Sequence, residues 1–519
     1  MESRLSRRTT KEAAVDLDLK TLPHETTTYD TTQTGEVLSA VDDKKLLFKI
    51  DCRLMPILQV HSSDLSSLKM SLTPPRCITY ALQSIDKTTL SYAAVFGLAD
   101  ETHLSGSEYS WLGAIFYLGY MFWEWPTSYL LQRFPLAKLL GVSVILWGVT
   151  LTCHAAGHNF AGLATARFFL GVFEACIQPV TMVMFSIWYT RMEQPLRLGI
   201  WIGCAGLGYV AAGITSFGIG HIHGALSSWR YTFLIWGCVT IAWGIVVLLF
   251  LPDNPATAKF LSEDEKTGVT ERVKANGTGL EEKTFKKAQL LETLTDAKTW
   301  LLFVFAISSN APNGGLSTFQ GLIIRGLGFS KLQTTLIQMP SGGIQFVVCI
   351  GATFVASSFE NARLLTMFAC LLPTLAGVIG MWTLPSSVPW GRMVCLWITF
   401  TYTATWTLSM SVVTANTAGH TKKSTSAAML LIGYCLGNFI GPFFFRKAQA
   451  PRYELGVGMM LTCLGIQFLS ILGLYLLFLS RNRKRAAKNA LSADHIAEGE
   501  IRGLHDETDL QNQNFKYVY

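Results

Sequence analysis

Apolar residues in this chain come in blocks long enough to cross a bilayer, and polar residues fill the short stretches between them. A helix needs about 20 residues to cross ~30 Å of hydrocarbon. Windows of that kind fall at 77 to 98, 109 to 131, 139 to 156, 164 to 189, 198 to 220 and 231 to 251, and again at 300 to 324, 336 to 358, 363 to 384, 393 to 415, 425 to 445 and 456 to 479. The pattern predicts twelve membrane-spanning helices in two sets of six, an all-α polytopic membrane protein.

The polar remainder divides the chain further. Residues 1 to 45 are rich in Thr, Asp, Lys and Arg and hold no apolar core, so they read as a disordered tail without a cleavable signal peptide. The six-helix set at 46 to 252 is joined to the set at 299 to 480 by a polar connector at 253 to 298. Within the connector, Ser262 and Glu265 have the spacing of a capping box and predict a short surface helix. A second tail follows at 481 to 519.

Composition agrees with the pattern. Half of the 519 residues are hydrophobic, 15% are charged and mean hydropathy is +0.34, which excludes an ordinary soluble domain. Lys and Arg concentrate in the loops after even-numbered spans: Arg133 and Lys138, Arg191 and Arg197, the connector, Arg363, then Lys422 and Lys423. The loops after spans one and three have none. The positive-inside rule therefore puts both termini in the cytosol, with the plasma membrane as the expected location. The formal charge of +7 reflects this asymmetry, with Arg446, Lys447 and Arg452 as a minor counter-signal. No nucleic-acid partner is implied.

The eleven cysteines include no CxxC pair and lie mostly within spans, so they read as packing residues rather than metal ligands or disulfide partners. The glycines of span five, Gly199, Gly203, Gly206, Gly208 and Gly213, read as a close helix contact in a moving interface. No strand-to-helix turn exists to make them a nucleotide loop. The sequon at Asn276 falls in the connector. No cofactor, metal centre or activated nucleophile is expected, and an enzyme is the least supported class.

Charge inside the spans carries the functional signal, because ionisable side chains are costly there and mark pathways for ions or substrates. Span one holds Asp86 and Lys87, span two Glu124, and span four Arg167 and Glu174. Arg167 and Glu174 fall on one helix face, about 10 Å apart along the axis, with Gly171 and Gln178 on the same stripe. The second half offers neutral polar groups: Asn310, Asn313 and Gln320 in span seven, Gln338 and Gln345 in span eight, Asn416 in span ten and Asn438 in span eleven. An ionic wall facing a neutral polar one suits a small charged solute.

Arg167-x-x-x-Gly171 resembles a span-four motif of the major facilitator superfamily. Together with Glu174, YLLQRFPLAK after span two, LPDNP closing span six and NGGLSTFQGLIIRGLGFS in span seven, it resembles the anion:cation symporter branch. GYCLGNFIGPFFFRKAQAPRYELG around span eleven is similar to the fungal allantoate permease group. The resemblance covers about 43 to 480. It implies two pseudo-symmetric six-helix bundles working by alternating access, a basic residue at Lys87 that contacts an anion, and a role for the span-four arginine in proton movement. Two departures stand out. The loop after span two has Gln132 before Arg133 where the superfamily usually places an acidic residue and a glycine. The segment 59 to 76, polar, Ser-rich and ending Pro74-Pro75, interrupts the approach to span one and cannot extend a membrane helix. It reads as an insert the length of a retained intron, or else as a genuine loop before a shortened span.

The expectations are then specific. Lys87, Asn313, Gln320 and Gln178 contact the substrate; Arg167, Glu174 and Asp86 couple proton movement; Glu124 and Asn438 gate. Side by side, Asp86 and Lys87 point about 100° apart and cannot fully neutralise each other, which leaves Lys87 open to an anion or to a structural partner. The expected activity is import of a small organic anion (a ureide such as allantoate, a vitamin-like carboxylate or a small peptide) with protons, by a monomer in the lipid bilayer. A nutrient-sensing receptor on a transporter fold is the alternative.

Overall fold

The computed structural model describes Leu46, Ile50 and residues 78–190, 194–274, 285–359, 361–489 and 506–519. The chain divides into a unit Met1–Leu46, of which Leu46 alone is described, and the unit Leu47–Tyr519 that holds every span. The insert at 59 to 76, Arg191 and Asn276 lie outside the described residues.

Twelve spans follow in order. The first six are Ile78–Val95, Glu108–Arg133, Leu136–Cys153, a fourth built from Phe160–Glu174 and Ile177–Trp188, Gln194–Ile219 and Ser228–Phe250. The second six are Ala297–Gly326, Met339–Ser358, Arg363–Thr383, a tenth built from Pro389–Thr399 and Thr403–Asn416, His420–Ile440 and Glu454–Asn489. No strand occurs among the described residues.

Eight of these spans are individually long and apolar enough to cross a membrane. The four that fall short are spans one, two, seven and ten. Their deficit has a physical source: they carry Asp86 and Lys87, Glu124, the amides Asn310, Asn313 and Gln320, and a hydroxyl-rich break. Such helices persist in a membrane only where other helices shield their polar groups from lipid.

Two breaks occupy equivalent places in the two halves. Span four loses its helix at Ala175–Cys176, directly after Glu174, and span ten passes through a tight turn at Phe400–Tyr402. Interrupted helices at matching positions of two repeats are the usual makers of a midplane binding site.

The basic loops gather at one end of the molecule. Asp253, just past span six, accepts a hydrogen bond from the Ala137 backbone N–H at 2.9 Å and so caps span three. At the opposite end Glu101 binds Trp229 Nε1 at 2.6 Å and Arg230 Nε at 3.0 Å, joining the loop after span one to the start of span six. In the connector the Ser262–Glu265 capping box forms as expected, with reciprocal bonds of 2.8 and 3.3 Å, and starts the helix Glu263–Lys274. A second connector helix, Lys287–Thr295, was not expected from the sequence.

Small residues set the closest crossings. A Cβ on Gly171 would meet the Phe116 carbonyl and, at 2.9 Å, the Tyr120 nitrogen. Spans two and four therefore touch backbone to backbone here. The span-five glycines make the close contact their density implies: Gly206 faces Gly342, Gly199 faces Thr353 and Gly213 faces Met339, all on the second half, while Gly208 meets Ala81 of span one.

Elsewhere the halves meet toward the end remote from the basic loops. Tyr109 donates to the Thr318 carbonyl at 2.7 Å, the Gly321 N–H to Ser91 Oγ at 2.9 Å, and Trp111 packs edge-on to Phe443 at 5.1 Å.

Candidate functional site

Lys87 lies midway along span one. It is on the face of span one that looks across span two to the second half, and its flexible stem lets the ammonium reach between helices. Nζ lies 3.4 Å from Glu174 Oε1 and 3.3 Å from the Tyr434 hydroxyl of span eleven, so one cation joins spans one, four and eleven. Its side chain keeps 17% exposure while Glu174 has none. The rings of Phe116 and Tyr434 each lie 5.9 Å from the ammonium. Trp406 stacks on Tyr434 at 5.2 Å, and Tyr117 meets it edge-on at 5.9 Å. The result is an aromatic cage with one positive charge on its wall.

Arg167 does not complete an ion pair with Glu174. The shared helix face holds as far as Glu174, where the helix ends, and the carboxylate turns to Lys87 instead. Arg167 is 3% exposed, and its Nε and one terminal nitrogen have no hydrogen-bond partner; both oxygens of fully buried Asp86 are likewise unsatisfied. Asp86 lies beside Trp147, while its neighbour Lys87 makes its ion pair with Glu174, in accord with the 100° between neighbouring helical positions.

The second half supplies a neutral network. Asn313 Nδ2 donates to Asn438 Oδ1 at 2.8 Å, and the Tyr402 hydroxyl donates to Asn313 Oδ1 at 2.9 Å. Asn438 in turn donates to the Tyr434 carbonyl at 2.9 Å, one helical turn back. Spans seven, ten and eleven are thus wired to the residue that touches Lys87.

The other expected residues are placed variously. Gln178 accepts from the Tyr120 hydroxyl at 3.4 Å, just beyond the break in span four. Gln320 is buried and donates to Ser341 Oγ at 2.9 Å, a bond between spans seven and eight inside the second half. Glu124 is half-buried with Oε2 unpartnered, one turn beyond Tyr120.

Sequence reasoning overlooked the aromatic members of the site. Tyr117 and Tyr120 at three residues' spacing and Tyr434 with Asn438 at four mark polar-tipped aromatic faces, the signal that could have found them. Tyr402 carried no such signal, since it acts from the 3-10 turn that interrupts span ten.

The model of the Major Facilitator Superfamily matches residues 76–442, most of the chain. The chain belongs to the major facilitator superfamily. Among superfamily relatives, the chain is 36% identical to the thiamine pathway transporter THI73 of Saccharomyces cerevisiae over 88% of this chain and 86% of that one. It is 32% identical to the allantoate permease of the same yeast, over 92% and 87%. The fold is shared with solved transporters. A bacterial homolog of the human lysosomal transporter Spinster, inward-facing and occupied, gives a TM-score of 0.57 at 16% identity, over 76% of this chain and 94% of that one. A D-xylose-proton symporter gives 0.56 at 12%, over 76% and 96%. The chain is therefore a multi-pass membrane transporter of a small molecule and not an enzyme.

Proposed function

We propose that this transporter imports a small organic anion together with protons, and that the Lys87–Glu174 pair is the element that links the two. The observation that carries the reading is the 3.4 Å contact between the two side chains inside a cage shared by both halves.

An ammonium in low dielectric must have a counter-charge. With Glu174 ionised, Lys87 has one and no anion is needed. A proton on Glu174 removes that charge and leaves Lys87 to take the carboxylate of a substrate. Proton and anion then favour each other's binding by the same factor, as linkage requires. Arg167 and Asp86, close behind and unsatisfied, form the route or reservoir for that proton. Asn313, Gln178 and the Tyr434–Trp406 face orient the body of the substrate. A resting potential of ~100 mV opposes entry of a lone monoanion by ~2.3 kcal/mol, and one accompanying proton cancels this.

Similarity to an allantoate permease and to a thiamine pathway transporter supports a ureide or a vitamin-like carboxylate as the substrate class, with small peptides a further member. The basic loop end faces the cytosol, at the plasma membrane, and the working unit is the monomer. Glu124 at the basic end of the cage and Asn438 at its other side serve as gates.

Purified protein in liposomes carrying an internal pH dye provides the test. A panel of ureides, pyridine or thiazole carboxylates and dipeptides is added outside; the expected result is dye acidification with at least one of them, absent in Glu174→Gln. Uptake of a panel member with no accompanying acidification would overturn proton symport.

A further inference from the structure

Residues Asp506–Tyr519 lie against the basic end of the second half-bundle, although nothing in their composition predicts a docked element. We propose that this end of the half-bundle is a peptide-binding site, that its ligand is the chain's own Asp506–Tyr519, and that Asp509 is the residue the site recognises.

The site is built from the helix ends of the second half. Lys298 at the start of span seven and Lys422 at the start of span eleven are both fully buried. Asp509 divides its carboxylate between them, with Oδ2 at 2.9 Å from Lys298 Nζ and Oδ1 at 3.0 Å from Lys422 Nζ. Asp296, Glu292 and Arg481 surround the pair: Lys422 reaches Glu292 at 2.7 Å and Asp296 at 3.1 Å, and Arg481 reaches Asp296 at 2.7 Å. Without Asp509 the well holds three cations against two carboxylates, with two ammonium groups shut away from water.

Backbone recognition accompanies the charge. Asn482 pairs with Tyr517 through both its amide groups, donating to the Tyr517 carbonyl at 2.8 Å and accepting from its N–H at 2.9 Å. Asn416 does the same for Val518, at 2.8 and 2.7 Å. Two asparagines on different spans, each reading both the N–H and the carbonyl of one residue, describe a site shaped for an extended strand of chain rather than for a free ion. Arg485 donates to the carbonyls of Asp509 and Phe515.

Tyr517 anchors the segment. It is fully buried, stacks on Phe478 at 5.2 Å with the rings 6° from parallel, and its hydroxyl donates to Asp509 Oδ2 at 2.7 Å. The tyrosine therefore holds the aspartate in the geometry the lysines require. Thr508 adds a bond to Glu292 at 3.0 Å, and the Asp506 side chain accepts from the His420 N–H at 2.6 Å. One peptide thus ties the connector helix Lys287–Thr295 to spans seven, ten, eleven and twelve, so that these ends move as one body.

The experiment uses the protein ended at His505 and a fluorescein-labelled peptide of residues 506–519. The labelled peptide should bind the shortened carrier in detergent, and raise its thermal midpoint toward that of the full chain. A peptide with Asp509→Asn should bind at least ten-fold more weakly, and Asp509→Glu should recover part of the loss. Equal affinity for the wild-type and Asp509→Asn peptides, or no binding to a folded shortened carrier, overturns the proposal. Should the shortened carrier fail to fold, hydrogen exchange on the full-length protein decides instead. Asp509→Asn must raise exchange at 506–519 several-fold relative to Asp509→Glu, and unchanged protection refutes the recognition role.

Discussion

Lys87 and Glu174 pair at 3.4 Å within the first half, while the hydroxyl that completes the ammonium's coordination, Tyr434, comes from the second. Any motion that parts the halves must remove Tyr434 from Lys87 without disturbing Glu174. The ion pair belongs to the first half, and Tyr434 with the Trp406 ring stacked on it belongs to the second. In the proposed mechanism this division lets a charge state in one half set the affinity of a cleft between two.

Glu174→Gln should abolish concentrative uptake yet preserve exchange of substrate across the membrane, because the amide imitates a permanently protonated carboxyl. Counterflow and net uptake in the same vesicles separate the two. Net uptake against a gradient at the wild-type level would remove Glu174 from coupling.

Lys87→Ala should weaken substrate binding by roughly ten-fold or more, the scale of one lost charge-assisted contact, with normal amounts of protein at the membrane. The loss also strands Glu174, so a Lys87→Ala, Glu174→Gln double variant should fold better than Lys87→Ala alone. Thermal midpoints of the three proteins read this directly. A double variant less stable than both singles would speak against a charge pair.

Gly171→Leu should prevent assembly of spans two and four, since overpacking at a backbone contact costs about 1–3 kcal/mol or more. Gly351→Ala in span eight, where an added Cβ meets nothing within 4 Å, should be neutral or stabilising by roughly 0.5–1 kcal/mol. Fluorescence size-exclusion profiles after heating distinguish them, and similar profiles would show that the Gly171 contact is not what joins the helices.

Acid should release the docked C-terminal segment only at strongly acid pH. Burial favours protonated Asp296, but the Arg481 hydrogen bond and the charges of Lys298 and Lys422 outweigh it and hold the carboxyl at about 2. Asp509 is also buried, and the same two lysines with the Tyr517 hydroxyl hold it below its usual value of 3.8. Folded values below the unfolded ones mean stabilisation that is complete above about 4 and fades as pH falls toward 2. Hydrogen-exchange protection of 506–519 should be unchanged between pH 7 and 5 after correction for intrinsic rates. Release in that interval would require another titrating group.

Local patterning made the spans, their number, the grouping of basic loops at one end and the Ser262–Glu265 cap legible in the sequence. Each of these depends on residues near one another in the chain: a run of apolar side chains, a loop charge, a three-residue spacing. The membrane sharpens this, because a segment must satisfy its backbone within itself. The same locality located Lys87, Glu174, Asn313 and Asn438 as costly polar groups.

Partnership was not legible. Heptad-like spacing put Arg167 and Glu174 on one face, yet the helix ends at Glu174 and the carboxylate pairs with Lys87, 87 positions earlier in the chain. Tyr434, Tyr402 and Trp406 enter the site through the rotation and breaking of helices, and Asp509 finds Lys298 from 211 residues away. By itself the sequence determined which segments cross the membrane and which side chains are too costly to lie there idle. The tertiary structure alone decided which of those charges meet, since pairing depends on helix rotation and packing between segments, and those are settled only when all the spans assemble.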